Sequence, residues 1–134
     1  MNEQKTLKFE WEYGVEEVSL FVGAYQNGLG LYIGLRRKKD DLEEDFGDLT
    51  VNLPTGVSNV KEAYIDHFAE KDKLAFIRKY ELGSVLPEYG YSGFCKYTKV
   101  AFDLKRLAEL DPEGTRRFWE LHGMSGNDER KEVL

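Results

Sequence analysis

The chain has 134 residues, is 41% hydrophobic and 33% charged, and carries a formal net charge of −6. That size and balance fit one folded domain able to bury a core, and exclude a disordered chain. The charge makes it a poor general nucleic-acid binder, and the single Cys95 excludes an internal disulfide framework and fits a reducing compartment.

No apolar run approaches the roughly 18–20 residues needed to span a bilayer. Met1-Asn2-Glu3-Gln4-Lys5 leads into an alternating segment with neither an apolar stretch nor a cleavage pattern, so no signal peptide is expected. The expected location is the cytoplasm. Neither membrane association nor direct nucleic-acid binding is expected.

Leu7, Phe9, Trp11 and Tyr13 alternate with Lys8, Glu10 and Glu12, the period of a strand with one buried face. Gly14 separates it from a second strand on Val18, Leu20 and Val22. Gln26-Asn27-Gly28 predicts a hairpin, since Asn-Gly supplies the positive φ of a tight turn. Leu29–Leu35 is the returning strand, with Gly30 and Gly34 marking a bend or a close neighbour. The segment 40–47 then bridges to a fourth strand, Leu49–Leu53, closed by Pro54. Residues 55–62 read as loop and Ala63-Tyr64-Ile65 as a short strand.

Helical spacing follows. Phe68, Leu74, Phe76, Ile77 and Tyr80 share a face, Asp66 or Asp72 caps the start, and Leu82-Gly83 ends the run. Residues 84–94, rich in Gly, Pro and Tyr, read as loop. Phe94–Phe102 reads as the last strand, with a bulge because Lys96 and Lys99 fall on different faces. Asp103 predicts an N-cap for a short helix through Leu110. Asp111-Pro112-Glu113 starts another, with Asp at N-cap and Pro at N1, ended by Gly123. The expected fold is α+β: an antiparallel sheet of about five strands packed against two or three helices. Residues 1–124 form one domain in this reading, and 125–134 a loose polar tail.

The charge is unevenly spread. Residues 1–39 carry six Lys/Arg against five Asp/Glu and residues 67–134 carry twelve of each, while residues 40–66 hold one base against eight acids. Six of those acids fall within 40–48: Asp40, Asp41, Glu43, Glu44, Asp45 and Asp48, directly after Arg36-Arg37-Lys38-Lys39. A solvated, solubilising loop is the plain reading of such a run. The functional reading is a recognition surface that steers toward a basic partner, in its sharpest form by imitating a phosphate backbone. A second candidate surface is the aromatic stretch Tyr80, Tyr89, Tyr91, Phe94 and Tyr97, because Tyr is favoured at interfaces. Its plain reading is a loop pinned down by its own aromatics.

Chemical sites find little support. Nucleophilic catalysis needs a base beside Cys95 or a Ser, and His67 and His122 are the two histidines, without a recognised nucleophile motif. Two separated His and one Cys do not make a zinc set. The acidic run lacks the oxygen spacing of an EF-hand, leaving at most weak divalent binding. Gly28-Leu29-Gly30 and Gly90-Tyr91-Ser92-Gly93 lack the context of a phosphate cradle. No cofactor and no metal site are expected. An enzyme of unrecognised type would require His67, Cys95 and a carboxylate gathered in one cleft.

Leu31-Tyr32-Ile33-Gly34-Leu35, Asp48-Leu49-Thr50-Val51-Asn52-Leu53-Pro54 and Tyr64-Ile65-Asp66 resemble successive blocks of one small uncharacterised domain. So do Phe76-Ile77 through Leu82-Gly83, and Tyr89-Gly90-Tyr91-Ser92-Gly93-Phe94-Cys95-Lys96-Tyr97 into Phe102-Asp103-Leu104. It is a domain of unknown function encoded on conjugative transposons, plasmids and phages of Firmicutes. The resemblance covers roughly residues 17–110, and the blocks at 48–54 and 89–97 are its specific part. Segment 36–47 departs from it, being longer and more charged than the family's short turn. The family brings no catalytic residues to map. What the resemblance implies is context: an accessory gene of a mobile element, often a small cytoplasmic, non-catalytic inhibitor of host defence. The expected function is therefore an acidic binding protein whose partner is a host protein with a basic surface. The alternatives are a structural or assembly subunit of the element and, last, an enzyme.

Overall fold

The structure, a computed structural model, describes residues 5–123. The predicted 125–134 tail lies outside them. β1 (Leu7–Trp11) buries Leu7 and Phe9 and turns Lys8 and Glu10 to solvent. β2 (Gly14–Ala24) and β3 (Leu31–Lys39) bury Val18, Leu20, Val22, Leu31, Ile33 and Leu35. The turn between them falls where Asn27-Gly28 places it: Gly28 and Leu29 hold positive φ, and Tyr25 N–H donates to the Gly30 carbonyl at 2.9 Å. β4 (Leu42–Asp48) completes an antiparallel sheet of order β1-β2-β3-β4.

A second antiparallel sheet holds β5 (Thr50–Val51), β6 (Glu62–Ile65), β7 (Gly83–Ser92) and β8 (Cys95–Phe102), in the order β5-β6-β8-β7. The α+β class stands, but the strands divide into two sheets of four rather than one of about five. The division occurs at Leu49. Its N–H donates to the Ile33 carbonyl of the first sheet at 2.9 Å, and its carbonyl accepts from Asp66 N–H, beside the second, at 3.0 Å. Apolar periodicity reports which face of a strand is buried, not which strand lies beside it, so this bend left no trace in the pattern.

Residues 84–94 form most of a hairpin rather than a loop. Pro87 sits in a bulge of β7 between Val85 and Tyr89, where a missing N–H breaks no ladder bond. Gly90 lies under Tyr64 and Leu53, and a Cβ there would meet Tyr64 Cε1 at 2.5 Å. The residues that read as loop punctuation thus have packing reasons inside a strand. The bulge expected in the partner strand lies here instead, with another on the β3–β4 pair. The fourth strand is short, since only Thr50–Val51 is extended.

α1 (Glu70–Lys79) starts at a left-handed Ala69 without a side-chain cap, so neither Asp66 nor Asp72 serves as one. Asp66 instead accepts from Phe68 N–H and pairs with the buried Lys73 ammonium at 2.8 Å. α2 (Leu104–Leu110) and α3 (Pro112–Leu121) begin where the sequence puts them. Asp103 accepts from Lys105 and Arg106 N–H groups. Asp111 does more than cap. Its Oδ1 accepts from Gly114 N–H, while its Oδ2 accepts from Val22 N–H at 2.8 Å, on the stretch of β2 that β1 does not reach. One core runs through both sheets and the helices, with Phe9, Ile33, Leu49, Ile65, Phe76, Phe102, Leu107 and Phe118 among its buried members. Trp119 packs against it, and its buried indole N–H has no acceptor among the described residues.

Candidate recognition surface

The acidic run is not a free loop. Most of it is β4, paired antiparallel with the end of β3: Arg36 lies opposite Asp45, Arg37 opposite Glu44, Lys38 opposite Glu43 and Lys39 opposite Leu42. Asp40 and Asp41 are the two turn residues, at φ 54° and 65°. Two consecutive positive φ angles define the type I′ turn that matches the twist of a hairpin, and Asp tolerates that region better than most residues. The basic and acidic runs are thus the two strands of one charged ladder.

Opposite residues of an antiparallel pair share a face, so the ladder sorts its charges onto two sides. On the outer side the Arg36 guanidinium lies 3.3 Å from Glu43 and 3.5 Å from Asp45, 4.0 Å above the Phe21 ring. On the other side Arg37 lies 2.7 Å from Glu44 and 3.2 Å from Glu16. The hydrogen bond to Glu44, then that to Glu16, holds the Arg37 guanidinium above its ordinary pKa. An extra residue, Phe46, interrupts the register between Asp45 and Gly47. It joins Phe9 and Trp11 edge-on, at 5.8 and 5.4 Å between centroids, and so ties the hairpin to the core.

The six acids therefore have different environments. Glu43, Glu44 and Asp45 are matched by arginines. Asp48 accepts from the Tyr32 hydroxyl at 2.7 Å. Burial and that hydrogen bond push the Tyr32 phenol well above its ordinary range. Its ring lies across Gly34, where a Cβ would meet the hydroxyl at 2.5 Å, which explains one of the two strand glycines. Asp40 and Asp41 are exposed at the tip and form no ion pair among the described residues, and Leu42 beside them is 72% exposed. The mirrored order of four bases, two turn residues, one apolar residue and three acids was the signal for this ladder. It escaped a reading based on apolar alternation.

The aromatic candidates divide. Tyr89, Tyr91 and Phe94 are exposed on the β7–β8 hairpin, where Gly93 holds φ 61° and Phe94 stands fully exposed at the tip. The Lys96 ammonium lies 4.0 Å over the Tyr89 ring. Tyr97 pairs with Gly90 and faces the opposite side from Tyr89 and Tyr91. Its ring meets His67 at 5.8 Å, and partial burial together with the neighbouring Cys95 raises its pKa. Tyr80 is elsewhere, at the end of α1, accepting from Lys8 N–H. The charged hairpin belongs to the first sheet and the tyrosine hairpin to the second, and among the described residues no ring contact or hydrogen bond joins them.

His67 meets the Tyr97 ring, Cys95 is exposed, and no hydrogen bond connects His67 to Cys95 among the described residues. No group of three or more His, Cys, Asp or Glu side chains is arranged to hold a metal ion among those residues. A cleft of about 560 Å³ lies between the β2–β3 turn and the loop after β5, lined by Tyr25, Asn52, Leu53, Glu62 and Tyr64 among others. Its carboxylate is matched from within, since Lys99 lies 3.4 Å from Glu62. Tyr25 donates to or accepts from the Thr50 hydroxyl at 2.8 Å, and burial pushes its phenol up to about 12. No described helix is long and apolar enough to cross a membrane.

Residues 19–120 match the family model described as "Domain of unknown function (DUF4313)". The chain belongs to this family. The match runs from within β2 to the last turn of α3, so the DUF4313 domain includes both hairpins, the second sheet and the first sheet except β1 and the start of β2. It extends ten residues beyond the C-terminal limit of the resemblance read from the blocks at 48–54 and 89–97. No curated protein and no solved structure matches this DUF4313 chain.

Proposed function

We propose that this DUF4313 domain is a small, acidic, non-catalytic binding protein of a mobile genetic element. In this reading it acts in the cytoplasm and blocks a host protein with a basic surface, of the defence or nucleic-acid-processing class. The mobile-element setting rests on the resemblance of the sequence blocks. The observation that carries the binding reading is the tip of the charged hairpin. Asp40 and Asp41 form no ion pair among the described residues and stand beside the exposed Leu42, on a ladder whose own arginines hold it in place. Fixed carboxylates around an apolar contact can both steer a basic partner and bury area against it.

Neutralising all six acids would dismantle the ladder, so the informative variant is Asp40→Asn with Asp41→Asn, because Asn keeps the turn geometry. Capture from a host lysate at low salt, wild type beside this variant, is expected to retain a basic protein on the wild type and to lose most of it on the variant. Equal capture by both removes the tip from recognition and turns attention to Tyr91 and Phe94. No partner, together with a stable homo-oligomer in sedimentation, favours an assembly subunit instead.

A further inference from the structure

We propose that the outer edge of β4, from Leu42 to Asp45, receives an extended Lys/Arg-rich segment of a partner protein as an added strand. This rests on the binding reading above and narrows its partner to a basic peptide in β conformation.

The argument starts from how the sheet edges are managed, since an open edge pairs with other chains unless something prevents it. α1 packs beside β1, and the Tyr80 hydroxyl takes Lys8 N–H at 2.9 Å. The stretch of β2 beyond β1 is closed by Asp111 on Val22 N–H, with Gly114 against the Val22 carbonyl. β7 is broken by the bulge that contains Pro87, and β5 is two residues long. β4 differs. Leu42–Asp45 is regular against β3, and among the described residues no hydrogen bond from another element reaches its outer side.

The groups on offer follow from the turn. Lys39 and Leu42 flank a two-residue loop and form a hydrogen-bonded pair, so the alternation of the antiparallel ladder makes Lys38–Glu43 and Arg36–Asp45 non-bonded pairs. The N–H and carbonyl groups of Glu43 and Asp45 therefore point outward.

Charge selects the occupant. A second copy pairing at this edge would set its acids against these, which repels. A basic strand meets the opposite condition, and β3 already shows the match, with Arg36 and Arg37 each held by carboxylates of β4 on opposite faces. An added strand with Lys or Arg at successive positions presents a cation to each face in the same way, with backbone bonds to Glu43 and Asp45.

The test uses the full chain and a peptide of Lys-Lys-Val repeats over about nine residues, which sets Lys on both faces of a strand, beside one of equal charge with Pro in place of Val, which cannot form the ladder. At low salt the Val peptide is expected to bind at least about tenfold tighter than the Pro peptide and to slow amide exchange at Glu43 and Asp45 by about tenfold or more. Glu43→Pro, which removes an outward donor, should lose most of the binding that Glu43→Gln keeps. Equal binding of both peptides without amide protection overturns strand addition and leaves charge-based recognition standing. No binding of either peptide overturns the proposal, while the lysate capture still judges the broader reading. Protection of the Glu43 amide that rises with protein concentration alone overturns it in favour of self-pairing.

Discussion

Asp111 and Gly114 show how much a single position can carry that its neighbours in sequence do not reveal. Asp111-Pro112 is legible as a helix start, and the structure agrees. The second oxygen, closing the β2 edge 89 residues away, follows from no local rule. Glycine inside a helix ordinarily costs about 0.5–1 kcal/mol relative to alanine, so Gly→Ala usually stabilises. At Gly114 a Cβ would collide with the Val22 carbonyl and the Asp111 carboxylate. Gly114→Ala should therefore destabilise, by about 1–3 kcal/mol for an overpacked contact, in urea unfolding followed by far-ultraviolet circular dichroism. Tyr25 gives a pH-dependent test. Burial raises its phenol from 10.0 to about 12, so the folded state holds the proton more tightly than the unfolded state. Its contribution is complete below about pH 10 and is lost as pH climbs from about 10 to 12. Tyr25→Phe should flatten that part of the alkaline stability loss, measured by denaturant midpoints across the same range. An unchanged slope would assign the loss to other groups.

The charged hairpin is the element on which sequence and structure diverge most. Apolar alternation reports strands that bury a face, and β3–β4 beyond Leu35 buries little apart from Phe46. Its pairing is specified by charge and by the Asp40-Asp41 turn, so the apolar pattern read it as a bridge. The elements with caps or strong turns behaved otherwise: α2, α3, β2 and the Asn27-Gly28 turn all lie where their residues put them. If the ladder sets the register, Arg37→Glu and Glu44→Arg should each destabilise the hairpin, since each puts like charges face to face. The double exchange should recover part of the loss, with Glu16 left facing a carboxylate. A double-mutant cycle at low and high salt checks this. Coupling that vanishes at low salt would mean that the turn and Phe46 alone fix the pairing.

At the scale of the whole molecule, the α+β class and most core positions were readable, because burial leaves a period in the sequence. The arrangement into two sheets was not, because it depends on the bend at Leu49. The candidate surface was readable only as composition: the acids stand out, yet which of them are matched depends on pairing with β3. Net charge located the hairpin, and geometry then reduced six candidate acids to two at the tip and an open edge beside them.

Leu49 donates to the first sheet and accepts beside the second, and one core runs through both, so sliding the two halves apart would break backbone hydrogen bonds and expose buried side chains. A domain held in that way has little conformational freedom to lose, so under the binding proposal the loss of disorder falls mainly on the other molecule. Fixing one backbone residue costs about 1–2 kcal/mol. A partner segment that is already extended in its own fold avoids most of that loss, whereas a fully flexible tail bears it residue by residue. Under the binding proposal, the shape that the partner has before the two meet then bears directly on affinity.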